Sequence, residues 1–309
     1  MTVATIRVPA SAANLGAGFD CIGIAVDRWL TASARAEHAP ADDARAMRSV
    51  IVRRSGTLAT LDAEPRDDQL YVGFAAACKA RGALVPRQIE FDVTSEIPVS
   101  RGLGSSSAAL VAGAALANAM LELGLGATQL ATLCANIEGH PDNVAPAIYG
   151  GAVLGVPLER GRYVFTPLVV HPELAFVFAV PEFTVSTEAA RALLPAHVPH
   201  AVAVSAASKS AALVQGLAAG NAELLAAALD DVLHVPHRRA LIAAYDEVVA
   251  AARAAGAYGA TLSGSGSTLM AIAPRDVAGR VRDAMCTRWR ECGEASEAFV
   301  AGAVCTSVI

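Results

Sequence analysis

Apolar residues in the first third of the chain fall in short runs separated by turn-forming residues. Thr5 to Val8, Ile24 to Trp29, Val50 to Val52 and Ile89 to Val93 read as strands. Between the last two, Leu70, Phe74, Ala77 and Cys78 recur at helical spacing, which predicts a helix over Asp68 to Arg81. From Gly102 to Ala135 two helices are expected, the first apolar on nearly all sides and the second opened by Thr128 as its N-cap. A helix without a polar face belongs in an interior. Strand-like segments return at Gly151 to Val156, Tyr163 to Val169 and Ala175 to Val180. Thr187 then opens a helix with Glu188 in its first turn, at the positive end of the dipole, and Asn221 caps another through Val232. A further helix runs from about Leu241 to Ala255 and is ended by Gly256. Ala260 to Ser263, a Gly-Ser turn, Thr268 to Ala273, a helix near Val277 to Trp289 and a strand near Phe299 to Val304 complete the chain. This second half lacks the regular βαβ period of a doubly wound sheet, so the expected class is α+β, with a domain boundary at about residues 155 to 170.

Composition narrows the function classes. With 309 residues, 54% hydrophobic and 17% charged, the chain can bury a large core in one large or two ordinary domains, and disorder is excluded for most of it. A net charge of −5 supplies no basic footprint, so no nucleic-acid partner is expected. The mean hydropathy of +0.44 comes mostly from alanine. The best apolar stretch, Ala108 to Leu121, is shorter than the roughly 20 residues a span needs and contains Asn118, so it reads as a buried helix with no membrane partner. Arg7 and Pro9 interrupt the N-terminal segment, so no signal peptide is expected and the compartment is read as the cytoplasm. Six scattered cysteines without a C-x-x-C pair are expected to be small core residues rather than disulfides or metal ligands.

Candidate chemistry lies in a few short segments. In Pro98-Val-Ser-Arg101-Gly102-Leu103-Gly104-Ser105-Ser106-Ser107, two glycines permit tight turns and close approach, and three serines stand at a helix N-terminus, where open amides and the dipole stabilise an anion. An ordinary Gly-Ser loop capping a buried helix has the same composition. The only lysines are Lys79 and Lys209, neither in a glycine loop, which excludes a P-loop; nor does the segment match G-x-G-x-x-G. In Glu138-Gly-His140-Pro-Asp142-Asn143, Glu138 together with a serine hydroxyl would give Mg²⁺ two oxygen ligands, although a plain turn also accounts for these residues. No second His or Cys stands at zinc-ligand spacing from His140. Pro9 to Asp20 reads as a loop between strands, its Asn14 and Asp20 suited either to a small polar ligand or to turn formation. Ser263 to Thr268 reads as a hairpin turn. Arg191, Arg238 and Arg239 could clamp a carboxylate or simply be solvated.

Taken together these segments are recognisable. PASAANLGAGFDCIG, IPVSRGLGSSSAAL and GATLSGSGSTL resemble the three motifs of the GHMP small-molecule kinase superfamily, and EGHPDNVAPAIYGG with VSTEAAR resembles its homoserine kinases. The resemblance runs nearly end to end. It implies an N-terminal α+β domain with a left-handed βαβ unit over residues 1–160, a ferredoxin-like domain over 161–309, and an active site between them. By the same resemblance, Pro98, Arg101, Gly102, Leu103, Gly104, Ser105, Ser106 and Ser107 would hold ATP, and Ser106 with Glu138 would hold Mg²⁺, the choice among the three serines staying open. Homoserine would be held by Asn14, Asp20, His140, Asn143, Thr187, Arg191 and Arg238, with the arginines at its carboxylate and Asp20 at its ammonium on charge grounds. Asn143 would also serve catalysis by orienting the hydroxyl, and no base is nominated. The implied reaction is ATP-dependent phosphorylation of the side-chain hydroxyl of L-homoserine on the way to threonine. Another GHMP kinase acting on mevalonate or a sugar, and a non-catalytic ligand-binding descendant, are the alternatives; a homodimer is left open. One departure is visible: Ser267 stands where the third motif commonly has proline.

Overall fold

The computed structural model describes residues 2–36 and 49–302. β1 (Thr2–Asn14) and β2 (Gly18–Ala36) form a long antiparallel hairpin whose register shifts between Pro9 and Ala10, where a residue without an N–H interrupts the ladder. β3 (Ser49–Gly56) and β4 (Gln88–Ser95) pair in parallel, and α1 (Gln69–Ala80) crosses between them. There follow α2 (Ser105–Met120), α3 (Ala127–Glu138), α4 (Val144–Tyr149), β5 (Ala152–Pro157) and β6 (Tyr163–Leu168). The first sheet runs β3-β4-β2-β5-β6, with β1 also on β2. β2 is long enough to serve two neighbours, Leu30 to Ala36 pairing with β4 and Ile22 to Ile24 with β5.

The second half comprises β7 (Leu174–Pro181), α5 (Thr187–Ala192), α6 (His200–Ala219), α7 (Ala222–Leu229), α8 (Val235–Arg238), α9 (Tyr245–Ala254), β8 (Gly259–Leu262), β9 (Leu269–Pro274), α10 (Ala278–Glu291) and β10 (Ser296–Val300). Its sheet, β10-β7-β9-β8, is antiparallel throughout, so its strands lie in the order fourth, first, third, second, the ferredoxin-like pattern. The sheets change over between Leu168 and Leu174. β7 is buried on both faces and alternates with period two. Phe176, Phe178 and Val180 join the apolar core built on the first sheet and α2, while Ala175, Val177 and Ala179 face a second core with Val248, Val281, Met285 and Trp289.

α2 is buried on nearly every side, as expected, and meets α1 at glycines. A Cβ on Gly113 would stand 1.8 Å from the Leu70 carbonyl oxygen, and one on Gly73 would stand 2.0 Å from that of Leu110. Gly113→Ala is therefore expected to lower stability by about 1–3 kcal/mol through overpacking, read as a fall in the denaturant midpoint; an unchanged midpoint would mean that the helices can part.

Several element ends differ from the sequence expectation. Gly126, not Thr128, is the N-cap of α3, and the Thr128 hydroxyl bonds Tyr149 instead. α5 opens at Thr187 with Glu188 in its first turn, as expected, capped by Ser186 and stopping at Ala192, whereas the separate 20-residue α6 is not anticipated by any cap or stripe. Asn221 caps α7 as expected, but α7 ends at Leu229 because Asp230 leaves helical geometry. α9 starts only at Tyr245, after Ala244 in left-handed geometry, and Gly256 follows its last turn at φ +105°. α6 is long and apolar enough to cross a membrane by length and composition, and packs on α7 with Leu213, Gly216 and Leu217 buried. Cys78 and Cys134 are buried thiols, Cys21 and Cys286 are partly buried, and Cys292 is exposed, against the core expectation; Cys305 and the end of the strand expected to reach Val304 lie outside the described residues.

Candidate active site

Three glycine-containing segments meet between the two sheets. Pro9 to Asn14 is strand rather than loop; only Leu15 to Ala17 turn, and the β1–β2 tip so formed reaches both other segments. The Ser11 amide donates to the Leu103 carbonyl (3.2 Å) and the Gly264 amide to that of Ala13 (3.1 Å). Asn14, at φ +76°, donates from Nδ2 to the Gly264 carbonyl (3.0 Å) and accepts the Asp20 amide at Oδ1 (3.0 Å). The β8–β9 hairpin loop presses on the Pro98 to Ser107 segment, the Ser263 hydroxyl donating to the Gly102 carbonyl at 2.6 Å. A Cβ at Gly102 would stand 2.1 Å from the Ser263 carbonyl oxygen and one at Gly104 2.2 Å from Ser11 Oγ, so both positions require glycine.

The convergence encloses a cavity of about 580 Å³, whose lining includes every residue that the resemblance assigns to ATP, Mg²⁺ or homoserine. Gly104 caps α2 in left-handed geometry with no side-chain bond, which leaves the amides of Ser105, Ser106 and Ser107 without intrahelical acceptors. Leu58, Leu61, Ala63, Val72 and Val93 give the cavity an apolar wall. That wall is anchored by Asp68, which caps α1 and pairs with Arg54 at 2.7 Å, while Arg54 also binds the Ala63 carbonyl at 3.0 Å.

The polar groups fall into sets. The hydroxyl that donates to Glu138 is that of Ser107 (2.8 Å), and Ser106 is exposed on the first turn of α2. Burial pushes the Glu138 carboxyl up to about 7, helped by the Asp142 charge and opposed by the Ser107 bond and by His140. For His140 burial acts downward, but the bond from its Nδ1–H to Asp142 (2.5 Å) and the charges of Asp142, Glu138 and Asp20 prevail and hold the imidazole at about 9, so it is a cation at neutral pH. Asn143 accepts the Ser11 hydroxyl at Oδ1 (3.0 Å), which leaves its NH₂ to donate. Thr187 and Ser265 share a hydroxyl contact of 3.1 Å.

The two arginines differ in kind. Arg191 holds Asp20 through two parallel bonds of 2.9 and 3.0 Å, so groups assigned to opposite ends of one substrate here bind each other. Arg238 is 2% exposed and has no carboxylate within ion-pair distance among the described residues. It makes only long bonds, to the carbonyls of Ala190 (3.3 Å) and Gly264 (3.4 Å), and burial and the Arg191 charge depress its pKa. Arg239 stands apart, beside Asp246 at 3.3 Å. Arg101 lines the cavity, but its guanidinium is turned to the Pro181 carbonyl (2.6 Å). Asp142, absent from the expected site residues, is 1% exposed, lines the cavity and pairs with His140. Its Pro-Asp-Asn setting reads as a turn, and its one distinguishing signal is the histidine two residues before it.

Residues 70–151 match the family described as GHMP kinases N terminal domain, and residues 213–291 match GHMP kinases C terminal. The chain is 41% identical to a homoserine kinase of Synechococcus sp. over 93% of this chain and 91% of that one, and 40% identical to one of Picosynechococcus sp. over 97% and 96%. Among solved structures, a homoserine kinase from Cytophaga hutchinsonii superposes with a TM-score of 0.86 at 27% identity, covering 99% of this chain and 96% of that one. The chain belongs to the GHMP kinases and, within them, to the homoserine kinase family.

Proposed function

We propose that the protein transfers the γ-phosphoryl group of ATP to the side-chain hydroxyl of L-homoserine, giving O-phospho-L-homoserine for threonine synthesis. One observation carries this reading. A single cavity joins a helix N-terminus with open amides to a set of acidic groups and to a buried guanidinium that has no carboxylate within ion-pair distance among the described residues. The helix N-terminus suits phosphates, and the acidic groups with the guanidinium suit an amino acid.

The amides of Ser105 to Ser107, in a segment held by the close packing of Gly102 on Ser263 and of Gly104 on Ser11, would cradle the phosphates, and the apolar wall would cover the base. The donor set also fits Mg²⁺, since Glu138 and a serine hydroxyl offer two hard oxygens at the α2 N-terminus. Ser106 is the serine assigned by resemblance, while Ser107 is the one already touching Glu138. Bound there, Mg²⁺ would supply neutralisation of phosphate charge. Arg238 and Arg191 would hold the substrate carboxylate, and Asp20 and Asp142 offer negative charge to its ammonium. Thr187, His140 and Asn14 complete the wall, and the NH₂ of Asn143, its orientation set by Ser11, would donate to the acceptor hydroxyl oxygen. Phosphoryl transfer has a loose transition state, so alignment and charge neutralisation can provide most of the acceleration without a dedicated base.

An acceptor panel tests the reading. With Mg²⁺ and ATP, ADP release is expected with L-homoserine and not with mevalonate, galactose or L-serine. Release with mevalonate or galactose but not homoserine would overturn the substrate while leaving the superfamily intact. No release with any acceptor would favour a non-catalytic descendant.

A further inference from the structure

The buried Arg238 guanidinium raises a question of orientation. Its hydrogen bonds are long and no carboxylate holds it among the described residues, yet it lies in the cavity wall. Its remaining close partner is an aromatic ring: its guanidinium carbon lies 5.2 Å from the centroid of Phe19, which neighbours Asp20 on β2. The same ring stacks on His234 with centroids 4.8 Å apart and planes at 18°. His234 and Arg238 stand four residues apart across the single turn of α8, joined by the Arg238 amide to the His234 carbonyl, so both lie on one helix face.

His234 is itself fixed. Its side chain is fully buried, and burial, with the Arg238 charge, lowers its pKa against the pull of Asp231, so the imidazole is neutral. The neutral ring donates Nε2–H to the Gly16 carbonyl (3.2 Å) at the β1–β2 tip, leaving Nδ1 buried without a partner among the described residues. Its backbone is held by the buried Asp231 carboxylate, one oxygen of which accepts the amides of Leu233, His234 and Val235 at 3.0, 2.7 and 2.9 Å. The His234 imidazole thereby ties α8 to the hairpin tip and stacks on the Phe19 ring beside the guanidinium.

We infer that Phe19 and His234 are positioning residues for substrate recognition: the Phe19 ring of the hairpin, held by its stack on His234 at the start of α8, aims the Arg238 guanidinium at the substrate carboxylate. A cation over an aromatic face is attracted without being neutralised, so the guanidinium keeps its charge and its donors for a ligand. A carboxylate in the same place would orient it equally well and consume both. This inference rests on the homoserine reading of the site.

The test is Phe19→Leu, which keeps apolar bulk and removes the π face, beside Phe19→Tyr, which restores that face, each made also in an Arg238→Ala background. Steady-state kinetics should show KM for homoserine raised about tenfold in Phe19→Leu, with KM for ATP and kcat within about twofold, and recovery in Phe19→Tyr. In the Arg238→Ala background Phe19→Leu should add nothing, because it acts through a guanidinium no longer there. His234→Asn, which keeps a donor but loses the stack, should raise the same KM and leave that for ATP alone. An unchanged homoserine KM in Phe19→Leu, a parallel rise in the ATP KM, or an undiminished effect without Arg238 would each overturn the positioning role. If the wild-type protein fails to turn over homoserine, it is the proposed function that falls, and that outcome is read before any variant is made.

Discussion

Glu138→Gln is expected to lower kcat by about a thousandfold, the scale of losing a preorganised electrostatic group aimed at developing charge. The substitution keeps shape and the ability to accept the Ser107 hydroxyl, and removes only the negative charge. The environment of Glu138 decides what else follows. Burial raises its carboxyl to about 7, which means that the fold disfavours the ionised form. A carboxylate whose folded pKa lies above its unfolded value detracts from stability once pH exceeds the unfolded value, here from about 4.3 upward. The neutral amide should therefore leave thermal stability at pH 7.5 equal to wild type or higher, while activity collapses. Loss of both together would place Glu138 in the framework rather than in metal and phosphate binding.

Arg238→Ala carries the second large effect, a fall in kcat/KM for homoserine of roughly a hundredfold to a thousandfold, as when one partner of a buried charge pair is truncated. KM for ATP should stay within about threefold, because the α2 N-terminus does not depend on this side chain. Arg191→Ala should have the same selectivity for homoserine over ATP and a smaller effect. Arg191 is half-exposed and already neutralised by Asp20 through two bonds, so a ligand gains its charge only by sharing or displacing that pair. Among the described residues Arg238 has no such rival within ion-pair distance, and its burial keeps solvent from screening what it binds. Equal losses for both variants would argue that the Asp20 pair does not persist when substrate binds.

Where local signals were strong, the sequence was informative about fold. Leu70, Phe74 and Cys78 mark one face of α1, Asn221 caps α7 as its side chain suggests, and the apolar run from Ala175 to Val180 reads as the strand β7, which the structure places between two cores. α6 was hidden because it is built of alanine, serine and valine with few buried positions, and Pro199 before it looks like a loop. The β1 segment from Pro9 to Asn14 reads as a loop because proline and small residues dominate it, yet proline is tolerated there by a register shift and the small side chains allow other backbones to approach.

The composition of the site was legible and its pairings were not. Three consecutive serines are chemically alike, and only helical rotation brings Ser107 to Glu138. Arg101 sits in the motif but turns to Pro181, and Asp20 meets Arg191 across 171 positions of chain. Such contacts are made by tertiary folding alone. Ser267 reverses the usual logic of a departure: its hydroxyl donates to the Phe183 carbonyl at 2.6 Å, a bond that proline could not make, tying the β8–β9 loop to the segment that leads into α5.

The central claim is that one cavity brings an ATP phosphate to the side-chain oxygen of an amino acid held by its carboxylate. Analysis by ³¹P NMR of a reaction with Mg²⁺, ATP and L-homoserine tests it directly. The expected result is a phosphomonoester resonance coupled to the γ-methylene protons of homoserine, appearing in step with ADP. ADP accompanied only by inorganic phosphate, or a phosphoryl group on the carboxylate instead of the hydroxyl, would contradict it.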